Sequence, residues 1–132
     1  NAFTTCQRLT EIYMSDSVKV LENDVFYDCL HLFNIQFSRT LLSIGDRCFA
    51  GCTNLQDVAI ADSVEHIGDY AFAGCRHLKV VRLPLHLKEL SRTAFDDCPE
   101  LDAIYLEEDS PADHVLRVSD FFLQRLKYIP KL

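Results

Sequence analysis

A solenoid built on a parallel β-sheet is the fold class that this sequence predicts, and three observations carry the prediction. Phe49-Ala50-Gly51-Cys52 returns as Phe72-Ala73-Gly74-Cys75 after 23 residues, and a fixed short period marks units that pack only on their neighbours. The period sets seven apolar rows, among them Phe3, Phe26, Phe49, Phe72, Phe95 and Leu9, Leu32, Leu55, Leu78, Leu101. Each unit also ends its Leu-x-x-Ile/Val-x-Met/Phe/Ile/Leu stretch in alternation, the mark of a short strand with one buried face.

Taken in order, every unit opens on the phenylalanine and reaches a cysteine three residues later, giving Cys6, Cys29, Cys52, Cys75 and Cys98. The sixth cysteine, Cys48, lies in a row otherwise held by Ala2, Val25, Ala71 and Ala94, a place for a small buried side chain. The leucine row comes next, then the strand with Ile12, Ile35, Val58, Val81, Ile104 and Met14, Phe37, Ile60, Leu83, Leu106 inward. Strands at one offset in successive units run parallel. The second half of the unit returns through turns, with Val18, Leu41, Val64, Leu87 and Leu21, Ile44, Ile67, Leu90 closing the core. Gly45 and Gly68 after that last row, and Gly51 and Gly74 before the cysteines, predict backbone conformations that Gly, Asn or Asp reach most easily. Asp28 and Asp97 stand at the second of these places.

The chain has 132 residues, about one domain, with the apolar and charged fractions of a folded chain. No apolar run approaches the roughly 18 residues of a membrane span. It begins in mid-unit, with Asn1-Ala2-Phe3 where Tyr70-Ala71-Phe72 stands later, without an initiator methionine or a secretory signal. It therefore reads as a piece of a longer protein. A net charge of -7 argues against nucleic acid, which needs clustered Lys and Arg, and against adhesion to anionic lipid.

Five cysteines in one row would face their neighbours at about 4.8 Å, the strand spacing, whereas a disulfide needs Cβ atoms about 3.8 Å apart. The row reads as free, buried thiols acting as small apolar residues. A zinc site needs local ligand pairs, and Cys48 and Cys52 find no matching second pair. His31 and His77 lie two units apart, too far to share an ion. No catalytic or phosphate-binding motif is present, so the expectation is a non-enzyme without metal or cofactor.

The unit Ala/Val/Cys-Phe-x-x-Cys-x-x-Leu-x-x-Ile/Val-x-Met/Phe/Ile/Leu-x-x-x-Val/Leu-x-x-Ile/Leu/Val-Gly resembles the leucine-rich repeat of the BspA-like (Treponema pallidum) type over residues 1–106. The resemblance implies a right-handed, arc-shaped solenoid with one parallel sheet on the concave side and turns or short 3-10 segments on the convex side. The phenylalanines would form a spine under the convex side. It also implies a surface or secreted protein concerned with adhesion. The proline common after the strand is present only as Pro84, with Ser15, Ser38 and Ala61 in other units.

Residues 107–132 are expected to close the array. The acidic stretch Glu107-Glu108-Asp109-Ser110-Pro111 breaks the period, and the insertion 107–113 reads as a solvated loop. After it, one reading is a degenerate unit, with His114 to Val118 parallel to His86 to Leu90, Leu126 in the cysteine row and Ile129 in the leucine row. The other is a short helix from an Ser119 N-cap over Asp120 to Lys127, with Phe122 and Leu126 inward. Either caps the last strand, which a solenoid requires.

Period-two alternation places four rows on the concave side. They are Glu11, Asn34, Asp57, Val80, Ala103; Tyr13, Gln36, Ala59, Arg82, Tyr105; Ser15, Ser38, Ala61, Pro84, Glu107; and Asp16, Arg39, Asp62, Leu85, Glu108. Tyr and Arg are frequent interface anchors, so Tyr13, Gln36, Asp57, Arg82 and Tyr105 are the candidate contacts. Acids outnumber arginines on these rows, so the expected partner is a neutral to basic protein. The alternative is a structural spacer within a longer surface solenoid, with no ligand of its own. The first strand, Leu9 to Met14, lacks a preceding unit and is a candidate edge for self-association.

Overall fold

The computed structural model describes residues 7–130. Phe3, Cys6 and the partial N-terminal cap expected over Asn1 to Gln7 thus lie wholly or mostly outside the described residues. Ten strands and two short helices follow in order: β1 (Glu11–Tyr13), β2 (Val20–Leu21), β3 (Asn34–Gln36), β4 (Ser43–Ile44), β5 (Asp57–Ala59), β6 (His66–Ile67), β7 (Val80–Arg82), β8 (Glu89–Leu90), β9 (Ala103–Leu106), α1 (Pro111–Leu116), α2 (Asp120–Leu123) and β10 (Leu126–Tyr128). The three-residue strands stand where the alternation predicts them. Their register is the 23-residue period itself, Glu11 facing Asn34 and Val81 facing Ile104.

This front sheet runs β5-β7-β9-β10 as one parallel ladder, with β1-β3 as a separate pair. A second parallel ladder, β2-β4-β6-β8, occupies the half of the unit expected to be turns alone. Its strands are two residues long, too short for an alternation signal, and their inner members Leu21, Ile44, Ile67 and Leu90 are the last apolar row. The remaining side closes by tight turns in which an N–H reaches back three residues, as Cys52 N does to Phe49 O at 3.2 Å.

The spine is present as predicted. Phe26, Phe49, Phe72 and Phe95 stack with centroids 5.2, 5.1 and 5.5 Å apart and rings 12° from parallel. Phe49, Phe72 and Phe95 are within 1% of complete burial. Cys29, Cys48, Cys52, Cys75 and Cys98 are free and buried. They do more than fill space: the thiols of Cys52, Cys75 and Cys98 donate to the carbonyls of Phe26, Phe49 and Phe72 at 3.2–3.3 Å, tying each unit to the one before.

The two glycine places work differently. Gly51 and Gly74 have φ of 76° and 70°, and Asp28 and Asp97 take 57° and 56° at the same place, as predicted. Gly45 and Gly68 are not left-handed. A Cβ there would lie 2.7 Å from Asn23 N and 2.9 Å from Asp46 N, so these glycines admit the turn of the preceding unit. That close approach lets Asn23 Oδ1 accept from Asp46 N at 2.7 Å and Asp46 Oδ1 from Asp69 N at 2.9 Å. The left-handed residues in the first half of the turn are Asp24, Arg47 and Tyr70 instead.

At the C-terminal end both readings are partly corrected. Residues 114–116, expected by one reading to parallel residues 86–88, belong to α1, capped by Ser110, whose Oγ accepts from Asp113 N at 3.2 Å. Helix α2 starts after Ser119 with Phe122 buried but ends at Leu123. Leu126 then pairs with Ile104, not with the cysteine row, because the final turn is shortened and β10 joins the sheet beside β9. The acidic stretch is not simply a solvated loop. Asp113 is completely buried and accepts from Tyr128 Oη at 2.9 Å and Asp109 N at 2.8 Å, which binds α1 to β10. That carboxylate bond also raises the Tyr128 phenol above its ordinary value.

Candidate functional site

The front face of the sheet carries all five candidate contacts. Tyr13, Gln36, Asp57 and Arg82 are exposed and Tyr105 is half-buried. Tyr13 and Gln36 are register partners, as are Arg82 and Tyr105. The second pair is in contact, with the Arg82 guanidinium 5.3 Å from the Tyr105 ring centroid, a cation–π geometry. Asp57 stands one row over, opposite Val80.

Two neighbouring hollows join these residues. One, of about 360 Å³, is lined by Asn34, Ile35, Asp57, Val58, Ala59, Val80, Arg82 and Tyr105. The other, of about 390 Å³, is lined by Phe33, Asn34, Asn54, Gln56 and Asp57. Asp57, Arg82 and Tyr105 are therefore brought together, while Tyr13 and Gln36 lie outside both hollows. Tyr13 Oη instead donates to Glu11 Oε1 at 3.2 Å, and Asn34 Nδ2 reaches both groups at 3.5 Å.

Phe33, half exposed, lines the second hollow and is a candidate that the outward rows do not include. It precedes the strand, in the column of Thr10, Gln56, Lys79 and Asp102, and an exposed aromatic in a polar column is the signal that could have found it.

Two of the four outward rows need correction. Ala103 is buried, and in the third row Ser38 and Pro84 are buried. There the chain has left the strand and is already turning, so alternation no longer applies; Ser38 Oγ accepts from Thr40 N at 3.2 Å. The fourth row is exposed but partly self-satisfied. Asp16 accepts from Arg39 Nη2 at 2.8 Å and from Arg39 N at 3.0 Å, and these bonds hold its carboxyl below the usual range. Asp62 accepts from Leu85 N at 3.2 Å. Arg39 is thus engaged within its own row.

Burial pushes the thiols of Cys48 and Cys98 up to about 12 and raises those of Cys52 and Cys75 as well. Held protonated, they are poor nucleophiles. Among the described residues no group of three or more His, Cys, Asp or Glu is placed to hold a metal ion.

Residues 1–111 match a family model described as a BspA type leucine rich repeat region, in 6 copies. Among solved structures, the chain is similar to a leucine rich cell surface protein from Faecalibacterium prausnitzii A2-165. The TM-score is 0.78 at 27% identity, over 99% of this chain and 32% of that one. It is also similar to a Treponema pallidum leucine rich repeat protein, with TM-score 0.74 and 29% identity over 90% of this chain and 58% of that one. The pneumococcal vaccine antigen PcpA shares the fold at 16% identity, with TM-score 0.69 over 96% and 36% of the two chains. The chain therefore spans from about a third to under three fifths of the length of these proteins. No curated protein matches it significantly.

Proposed function

This chain belongs to the BspA-type leucine-rich repeat family, and from that premise we propose that it is a non-catalytic, protein-binding part of a larger surface or secreted protein, of adhesion type. The observation that carries this reading is the contrast between its two kinds of row. Inward positions repeat the same few apolar residues, whereas the front face varies from unit to unit and gathers Asp57, Arg82 and Tyr105 around one pair of hollows. A face that only had to meet water would not need an Arg stacked on a Tyr beside a concavity, and such residues are the usual anchors of interfaces.

The partner is a protein with a neutral to basic surface, because among the described residues Glu11 and Asp57 on the front face find no ion pair while Arg39 is consumed by Asp16. Nucleic acid is disfavoured by the net charge of -7. No helix among the described residues is long and apolar enough to cross a membrane. A surface location agrees with the description of the Faecalibacterium relative. Among the described residues β1 is paired on one side only, with β3, and it is a proposed edge for self-association.

The test is capture of partners from host surface extracts by this chain, followed by affinity measurement with the double variant Arg82→Ala/Tyr105→Ala. Binding should weaken by more than about 2 kcal/mol with the circular dichroism spectrum unchanged. Unchanged affinity would move the contact to another face, and capture of nothing would favour the spacer.

A further inference from the structure

The front sheet is interrupted at one junction. β3 and β5 are not hydrogen-bonded to each other, although β1-β3 and β5-β7-β9-β10 are continuous on either side. At intact junctions Phe33 and Asn34 donate to Thr10 O, Lys79 and Val80 to Gln56 O, and Asp102 and Ala103 to Lys79 O. Gln56 and Asp57 make no such bonds to Phe33 among the described residues. Most Cα pairs between the two strands are more than 8 Å apart, whereas paired strands stand about 4.8 Å apart. The second ladder is closed at the same junction, with Ser43 facing His66 and Ile44 facing Ile67. The units thus splay apart at the front and hinge at the back.

The splay leaves two strand edges facing each other. In the register that the other junctions keep, Asp57 and Ala59 would donate to Phe33 and Ile35, and Ile35 and Phe37 would donate to Asp57 and Ala59. These donors and acceptors have the spacing of an extended backbone and find no backbone partner among the described residues. One inserted strand needs about twice the normal spacing, roughly 9.6 Å. The opening ends in the 390 Å³ hollow, whose lining is one carboxylate, three amide side chains and one aromatic ring, with no cation. A carboxylate, amide oxygens and a ring face are what a guanidinium or ammonium group requires.

We propose that the cleft between β3 and β5 receives an extended segment of the partner protein, which completes the sheet by strand addition and seats one basic side chain between Phe33 and Asp57. The proposal rests on the front face being the binding face. It adds the mode of binding, main-chain pairing with a basic residue at one fixed position. Strand pairing supplies affinity and the hollow supplies specificity.

The probe is a capped hexapeptide of alternating Thr and Val with one Arg, titrated into the isotope-labelled chain and followed by amide shifts and hydrogen exchange. In the free protein the amides of Asp57 and Ala59 should exchange faster than those of Val80 and Arg82. With peptide they should shift and become protected. Replacing Arg by norleucine in the peptide, or Asp57→Asn in the protein, should each weaken binding about tenfold, without further loss when the two are combined. A peptide with Pro next to the Arg should not bind, because it removes a ladder donor.

Protection of the Asp57 and Ala59 amides in the free protein equal to that of Val80 and Arg82 would overturn the proposal. So would peptide shifts confined to the outer edge of β1, equal binding of the norleucine peptide, or closure of the cleft by a second copy as concentration rises. A captured partner that is insensitive to Asp57→Asn but lost with Arg82→Ala/Tyr105→Ala would sink the cleft alone and leave the front-face reading standing. A partner insensitive to all three changes would remove both.

Discussion

The junction between the second and third units and the one between the third and fourth are built from the same rows, yet one is open at the front and the other closed. Between β5 and β7 every layer is engaged: the front ladder pairs, the second ladder pairs, Phe49 stacks on Phe72, and the Cys75 thiol meets Phe49 O. Between β3 and β5 the second ladder, the Phe26–Phe49 stack and the bond from Cys52 to Phe26 O are all in place, and only the front ladder is missing. The layers of a solenoid are therefore separable. What sets this junction apart in sequence is Phe37, the bulkiest member of its row, whose ring meets Phe49 edge-on at 6.0 Å. Where Ile60 and Leu83 occupy that row the strands close, so Phe37 is the candidate wedge that substitution can test.

The shared back layers should dominate stability, and the largest effect is expected from pH. Four buried thiols are raised from an ordinary 9.0. Below about pH 9 folded and unfolded chains both keep these protons. Above it the unfolded chain releases protons that the fold retains, so stability falls as pH rises toward the folded-state values. Each such thiol contributes a slope approaching about 1.4 kcal/mol per pH unit. Urea midpoints between pH 8 and pH 10.5 should fall steeply, and less steeply in Cys75→Ala; identical slopes would contradict the thiols' part.

Next in size is the spine. Phe49→Ala should cost about 3–5 kcal/mol, at least as much as Phe72→Ala, because Phe49 also meets Phe37. If Phe72→Ala proved clearly costlier in denaturant titration, the edge contact that distinguishes the open junction would carry no weight.

The cap should respond more modestly. Asp113→Ala strips partners from the Asp109 amide and the Tyr128 hydroxyl, for an expected loss of about 1–3 kcal/mol by thermal unfolding. Tyr128→Phe should lose less, since it leaves the buried carboxylate its other bonds.

The smallest change in stability, within about 1.5 kcal/mol, bears most directly on the comparison. Phe37→Ile places in the second unit the residue that the third unit has. It should let β3 and β5 pair, read as slowed exchange at Asp57 and Ala59. Continued fast exchange would show that Phe37 is not the wedge.

Much of this was legible in the chain itself. The strands, the phenylalanine spine, the buried cysteine row and the left-handed place at Gly51 and Gly74 follow from the period, since stacked units impose one environment on every member of a row. The contact of Arg82 with Tyr105 was equally legible, because parallel register brings residues 23 apart side by side. The buried side chains of Ser38 and Pro84 were not: alternation holds only while the chain is a strand, and the sequence does not mark where it leaves one. Ala103 is buried within β9 itself, where alternation alone does not foretell it.

By itself, then, the sequence determined the period, the inward rows and the identity of the front face, because these are local consequences of apolar spacing repeated along the chain. Only the tertiary structure decided three things. It placed the carboxylate of Asp113 under Tyr128, because the register of β10 depends on how two short helices shorten the last turn. It assigned Gly45 and Gly68 to close packing and not to a left-handed backbone, because what they admit is the preceding unit. And it left the front ladder unpaired between β3 and β5 while the second ladder stays paired, because the pairing of each ladder depends on how whole units seat on one another and is not written in any one row.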